Sequence, residues 1–190
     1  MQLLLFCLSL LSYFVLHSIL ADNRVKEVLY KVISIRFYRL FFNLVSIGLL
    51  VGLFYYFNAL PTTLLFEAMP MLGSVFMLVG GIIIFLALSN YHLGEFSGWY
   101  QLKHKGESPA HSLNQKGLNK YIRHPLYTGN FFLLLGLIIY YPALKVLAVV
   151  LISSLYLIIG TRLEEQKLVT YFGETYRKYQ REVGRFLPKI

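Results

Sequence analysis

The chain has 190 residues, of which 57% are hydrophobic and only 14% are charged, and its formal net charge is +9. Soluble domains carry about 25% charged residues, so this composition excludes disorder, a nucleic-acid-binding domain and an ordinary soluble enzyme. The single cysteine, Cys7, excludes an intramolecular disulfide framework and a cysteine-based zinc site.

Five apolar runs predict membrane-spanning helices, because a span needs about 20 apolar residues. They are residues 3–20, 40–60, 69–91, 126–141 and 143–161. The first run lacks a preceding basic segment, which favours a retained helix over a cleaved signal peptide. The fourth run is short, and Pro142 separates it from the fifth. This pair is therefore predicted to form a tight helical hairpin, whose first helix need not reach the far face of the bilayer.

Basic residues fall mainly in the segments that one face of the membrane would share. Residues 21–39, 92–125 and 162–190 hold every Lys and Arg except Lys145. The positive-inside rule makes that face cytoplasmic and places the N-terminus outside. The positive net charge is then explained by the membrane topology, so no nucleic-acid partner is needed to account for it. We expect a multi-pass protein of a bacterial inner membrane.

Two long segments on the predicted cytoplasmic face have patterns of their own. Residues 92–123 are polar and aromatic with several glycines, which predicts an interfacial loop with short helical pieces. Residues 163–183 repeat apolar side chains at helical spacing, which predicts an amphipathic helix interrupted by Gly173. No repeat divides the chain, so residues 1–190 are predicted to form one all-α membrane domain of about five spans.

The first charged cluster, from Arg123 to Tyr127, lies where the cytoplasmic loop enters the fourth run. Pro125 suits the first turn of a helix, where its missing N–H costs nothing. The free N–H groups there, at the positive end of the helix dipole, suit an anionic group such as a carboxylate. The alternative is structural: Arg123 as a snorkelling anchor, His124 as a helix cap and Tyr127 as an interfacial aromatic.

The second cluster, Arg162 with Glu164 and Glu165, lies at the end of the fifth run. Adjacent carboxylates at the membrane boundary are costly unless a cation is near. Because the turn at Pro142 returns the chain to the level of Arg123, the two clusters are predicted to meet. The alternative is an ion pair that only caps the helices.

Other candidate features are weaker. His17 could be a buried hydrogen bonder or line a pore, and a haem-binding bundle using His17 and His92 stays open as an alternative. The histidines lack metal-ligand spacing, so no metal site is predicted. Gly48 and Gly52, four residues apart, predict close helix packing.

Together, the two clusters resemble the membrane-embedded methyltransferases related to isoprenylcysteine carboxyl methyltransferase. The residues that carry the resemblance are Gly117, Arg123-His124-Pro125, Tyr127, Gly129, Glu164-Glu165 and Phe172-Gly173-Glu174-Thr175-Tyr176. The match covers about residues 111–188. The N-terminal part, with His17-Ser18 and residues 38–43, resembles the NnrU and methanethiol S-methyltransferase branch of the same group.

The resemblance implies S-adenosylmethionine as the methyl donor, bound between the last two spans and the tail. The implied cofactor contacts are His111, Ser112, Leu113, Asn114, Asn119, His124, Pro125, Leu126, Tyr127, Glu164 and Glu165, and Arg123 and Arg162 are the candidate catalytic residues. Eukaryotic members have a substrate-binding arginine where this chain has Gly160, and Arg162 is the nearest basic residue.

Methyl transfer is an in-line displacement, which chiefly requires an acceptor held against the methyl group in a dry pocket. Carboxylates suit the cationic part of the donor, and a helix start suits its carboxylate. The expected acceptor is a carboxylate or thiol on a lipophilic or small molecule that enters from the lipid bilayer. The alternative function is a non-enzymatic, NnrU-like membrane protein or transporter.

Overall fold

A computed structural model describes residues 1–91, 94, 97–104 and 113–189. The predicted site residues His111 and Ser112, and the alternative haem ligand His92, lie outside the described residues. The chain divides into two compact units, Met1–Pro61 with His92–Ala110, and Thr62–Tyr91 with His111–Ile190. A single domain over residues 1–190 stays a prediction.

Within the described residues the regular structure is helical, which confirms the all-α class. The helices are α1 (Gln2–Ala21), α2 (Asn23–Leu29), α3 (Ile35–Ala59), α4 (Pro70–Leu88), α5 (Trp99–Lys103), a 3₁₀ turn (Gly117–Lys120), α6 (Pro125–Tyr140), α7 (Leu144–Phe172) and α8 (Glu174–Glu182). Four of them, α1, α3, α4 and α7, are long and apolar enough to cross a membrane. The 16 residues of α6 span about 24 Å, short of the 30 Å hydrocarbon core.

The first unit is built on the packing of α1 against α3. Tyr38 is buried, and its hydroxyl donates to the carbonyl of Leu20 at 2.7 Å, which ties the end of α1 to the start of α3. His17 Nδ1 lies 3.1 Å from the hydroxyl of Ser46. Of the roles predicted for His17, the structure shows a hydrogen bonder, in a partly buried position.

In the second unit, α4 and α6 pack through two pairs of glycines. A Cβ on Gly80 would lie 2.7 Å from the carbonyl oxygen of Gly129, and one on Gly73 would lie 2.8 Å from that of Gly136. The two pairs run in opposite order along the chain, so the helices are antiparallel. Backbones this close are possible only without side chains at the crossing, and this contact sets the position of α6.

The predicted close packing at Gly48 and Gly52 is wrong for the described part of the chain. A Cβ on either glycine would meet no atom within 4 Å. A pair of small residues permits close approach but supplies no attraction of its own, and on α3 no described neighbour uses it.

The predicted hairpin is present: α6 ends at Tyr140, Pro142 lies in the turn, and α7 begins at Leu144. The predicted amphipathic segment 163–183 is divided differently. Its first half continues α7 without a break, because no helix-breaking residue follows Gly160 until Gly173. At Gly173 the backbone takes a φ of 56°, which ends α7 and starts the short helix α8.

Candidate functional site

The segment that leads into α6 is held by the C-terminal tail. The backbone N–H of Arg123 donates to the carbonyl of Gly184 at 2.9 Å, and that of His124 donates to the carbonyl of Arg185 at 3.1 Å. Pro125, fully buried, then starts α6 as the sequence predicts. The tail therefore places the two side chains of the first cluster at the helix entrance.

Glu165 is the centre of the site. Its side chain is only 4% exposed. Its Oε1 accepts from Nε and Nη2 of Arg123, both at 2.8 Å, and faces His124 Nε2 at 3.1 Å. Its Oε2 accepts from Arg185 at 2.5 Å and from the Gln180 amide at 3.2 Å. Both carboxylate oxygens are thus occupied by side chains of the protein itself.

Arg123 also holds the end of α8. Its Nη1 donates to the carbonyl of Gln180 at 3.1 Å and to the carbonyl of Val183. Gln180 lies in the last turn of α8 and Val183 directly follows the helix, so neither carbonyl has a partner within the helix. One buried guanidinium therefore joins the entrance of α6, the carboxylate of α7 and the end of α8.

Glu164 has a different environment from its neighbour. Its side chain is 45% exposed. Its Oε2 accepts from the hydroxyl of Tyr127 at 3.0 Å and lies 3.9 Å from His124 Nδ1. Among the described residues no donor reaches its other oxygen. Glu164 therefore keeps a carboxylate oxygen that a ligand can use.

His124 is buried between the two carboxylates, with 4% of its surface exposed. Burial lowers the pKa of His124, against the opposing effect of Glu164 and Glu165 and with a smaller contribution from the charge on Arg123. The ring is thus neutral at neutral pH. Because Oε1 of Glu165 can only accept, the ring proton is on Nε2, which leaves Nδ1 as an acceptor.

Three buried polar atoms near this cluster have no partner among the described residues: Asn119 Oδ1, the hydroxyl of Tyr176 and Nε of Arg185. Asn119 and Tyr176 are 4% and 1% exposed. The side-chain amide N–H of Asn119 donates to the backbone carbonyl of Arg123 at 3.2 Å, and the backbone carbonyl of Asn119 accepts from the hydroxyl of Tyr179. A buried polar atom left without a partner costs about 1–3 kcal/mol, so these atoms are candidates for a contact to a polar ligand.

The remaining predicted contacts lie around this centre. Asn114 donates to the carbonyl of Asn90 at 3.1 Å and accepts from the backbone of Lys116, which anchors the loop before the 3₁₀ turn to the end of α4. Leu113 and Leu126 are half-buried and apolar. Arg162 is exposed and makes no hydrogen bond or ion pair with any residue that the structure describes, so it does not join the cluster.

Sequence reasoning missed Gln180 and Arg185, which complete the environment of Glu165, and Tyr176. A signal was present, because a carboxylate buried beside the membrane needs several donors. The tail carries Arg181 and Arg185 within reach of the hairpin. Only the structure separates them: Arg181 pairs with the exposed Glu174, at 2.6 Å.

The family described as "Protein of unknown function (DUF1295)" matches residues 10–183. Three relatives with named activities are similar to parts of the chain. A methanethiol S-methyltransferase of Pseudomonas deceptionensis is 43% identical over 75 residues, which are 38% of this chain and 27% of the relative. Methanethiol S-methyltransferase 1 of Bradyrhizobium diazoefficiens is 26% identical over 183 residues, 90% of this chain and 62% of the relative.

A protein-S-isoprenylcysteine O-methyltransferase of Tribolium castaneum is 34% identical over 85 residues, which are 44% of this chain and 30% of the relative. The chain thus spans between 27% and 62% of the length of these three relatives. No solved structure matches the chain at a significant level.

Proposed function

The chain belongs to the DUF1295 family, and on that premise we propose that it is a membrane methyltransferase that uses S-adenosylmethionine. The observation that carries the proposal is the unequal use of the two adjacent carboxylates. Glu165 is occupied by four side chains of the protein, while Glu164, beside the buried His124, keeps an oxygen for a ligand. The methyltransferase names of the relatives support the same reaction class.

The residues around Glu164 fit the proposed donor. When bound, S-adenosylmethionine supplies a methyl group on a positively charged sulfur. Glu164 and the unpartnered Oδ1 of Asn119 are acceptors for its ammonium group. The ring of Tyr127 packs edge-on against His124 at 5.5 Å and offers an aromatic surface for a cation. The unpartnered hydroxyl of Tyr176 is a donor for a carboxylate.

We divide the predicted residues into two roles. Glu164, His124, Tyr127 and Asn119 would contact the donor, together with Leu113, Asn114, Pro125 and Leu126 and with His111 and Ser112 by resemblance. Arg123 and Glu165 act as positioning residues, because their polar atoms are already bonded to α8 and the tail. Arg123 would then affect methyl transfer by holding His124 and Glu164 in place.

The acceptor in this proposal is a carboxylate or thiol of a lipophilic or small molecule. The proposed topology places the site on the cytoplasmic face and the N-terminus outside, following the distribution of Lys and Arg. The polar donor would then enter from the cytoplasm and a lipophilic acceptor from the bilayer. Excluding water from the site keeps both reactants unsolvated and correctly oriented.

Calorimetric titration of S-adenosylmethionine into the purified full chain in detergent tests the proposal. Replacing Glu164 by Gln removes one charge-assisted hydrogen bond and should weaken binding about 10-fold or more. Glu182→Gln is the matched control, since Glu182 is an exposed glutamate whose nearest cation, Lys178, is 4.0 Å away. Absence of binding by the wild type, or equal affinities of wild type and Glu164→Gln, would overturn the proposal.

A further inference from the structure

A groove of about 530 Å³ lies beside the last part of α7, on a side that the proposed donor site does not use. Its polar lining comes from Arg162, Glu165, Gln166 and Thr170 on α7 and from Gln180 and Arg185 in the C-terminal segment. His124, Tyr127 and Glu164 do not line it. The groove shares Glu165, Gln180 and Arg185 with the charged cluster but none of these donor-contacting side chains, so it is a second candidate site beside the first.

The charge in the groove is positive. Glu165 lies at its wall, but the carboxylate is already paired with Arg123 and Arg185, at 2.8 and 2.5 Å. Arg162 brings a further positive charge, and its side chain contacts no acceptor among the described residues. The Nε of Arg185 is buried and has no hydrogen-bond partner in the described structure. Unused guanidinium donors at a positively charged site favour an anion.

The depth of the groove indicates where this anion comes from. Arg162 is the first charged residue after the apolar run that ends at Thr161. Gln166 and Thr170 follow at intervals of four residues, so they continue the same side of α7 away from the bilayer. Lipid phosphates occupy the interface just outside the hydrocarbon core, and the end of the apolar run predicts that level for Arg162.

We propose that this groove is an oxyanion site that binds the phosphate of an anionic phospholipid. Arginine presents a planar fork that matches the geometry of a phosphate. The guanidinium of Arg162 and the Nε of Arg185 supply the charged donors, and the Gln166 amide supplies a neutral one. Phospholipid binding at this site requires neither the methyl donor nor catalysis. It can therefore be tested independently of the proposed function.

Thermal unfolding of the full chain in detergent tests the proposal with three soluble probes: dihexanoyl phosphatidylglycerol, dihexanoyl phosphatidylcholine and inorganic phosphate. A ligand that binds only the folded state raises Tm in proportion to the logarithm of its concentration above Kd. We expect phosphatidylglycerol to raise Tm saturably and at lower concentration than the other two. If inorganic phosphate matches phosphatidylglycerol, the lipid source is overturned and the ligand is a soluble oxyanion.

Arg162→Gln should weaken phosphatidylglycerol binding about 10-fold, as expected for the loss of one charge-assisted contact. Because Arg162 holds no other group in the described structure, this variant should keep the wild-type Tm without lipid. Lys167→Gln is the matched control: it removes the same charge from an exposed position of α7 that does not line the groove. Equal weakening by both variants, or no effect of phosphatidylglycerol on the wild type, would overturn the site.

Discussion

Arg123 binds Glu165 through two nitrogens, Nε and Nη2, each 2.8 Å from the same carboxylate oxygen. The two side chains are only 8% and 4% exposed. They belong to residues 42 positions apart, at the entrance of α6 and near the end of α7. A buried ion pair gives little net stability by itself, but breaking one leaves a charge without compensation. This contact therefore joins the start of α6 to the last part of α7, and removing either side chain would leave the other charge unpaired.

Replacing Glu165 by Gln should destabilise the protein strongly. The change leaves the guanidinium groups of Arg123 and Arg185 beside a neutral amide, and breaking such a buried pair costs about 3–5 kcal/mol. Glu164→Gln should change the free energy of unfolding by less than about 1 kcal/mol, because Glu164 is half-exposed. Denaturant unfolding in detergent measures both, and equal losses of stability would contradict the division of roles.

Acidification should destabilise the folded state through His124. Burial lowers the pKa of His124 below that of the unfolded chain, near 6.5. As the pH falls below 6.5, the unfolded state therefore binds more protons than the folded state. The free energy of unfolding decreases over this range, and the decrease stops once the pH is below the pKa of His124 in the folded state.

Thermal unfolding between pH 7.5 and 5.0 should show this loss of stability in the wild type. The variant His124→Gln keeps an amide donor towards Glu165 but has no group that titrates in this range, so its Tm should depend less on pH. A variant with the same pH dependence as the wild type would show that His124 is not the group responsible.

Adding a methyl group at the crossing of α4 and α6 should destabilise the second unit. In Gly80→Ala the new Cβ would lie 2.7 Å from the backbone oxygen of Gly129, so the helices must separate. Overpacking of this kind costs about 1–3 kcal/mol. The neighbouring substitution Gly81→Ala is the control, since its Cβ meets no atom within 4 Å, and helix propensity favours it by up to about 1 kcal/mol. Thermal unfolding that ranks the two in the opposite order would refute the close crossing.

The turn at Gly173 should tolerate no side chain, although there is open space around it. Its φ of 56° with a ψ of −130° is a conformation that L side chains rarely adopt, and holding an alanine there costs about 1–3 kcal/mol. Because α8 and the tail supply Gln180 and Arg185 to Glu165, Gly173→Ala should lower Tm. Gly160→Ala, at an equally open position inside α7, should leave Tm unchanged or raise it. If both variants keep the wild-type Tm, the turn is not strained.

Local patterns determined much of this molecule in advance. The apolar runs predict α1, α3 and α4 to within a few residues, because the width of the hydrocarbon core sets the length of a span. The fifth run predicts the start of α7 but not its end, since the helix continues past residue 161 to Phe172. Pro142 predicts the hairpin, because proline interrupts a helix at its own position. Because a hairpin brings its two ends to the same side of the membrane, the sequence alone predicts that Arg123 lies close to the Glu164–Glu165 pair.

The tertiary structure decided what each member of the cluster does. Adjacent helical residues point about 100° apart, so Glu164 and Glu165 face different neighbours, and composition alone cannot say which one is buried. The burial of Glu165 depends on Arg185 and Gln180, which reach it only because Gly173 turns the chain into α8. The glycine crossing of α4 and α6 was equally invisible, because close approach depends on a partner helix and not on the spacing of glycines within one helix.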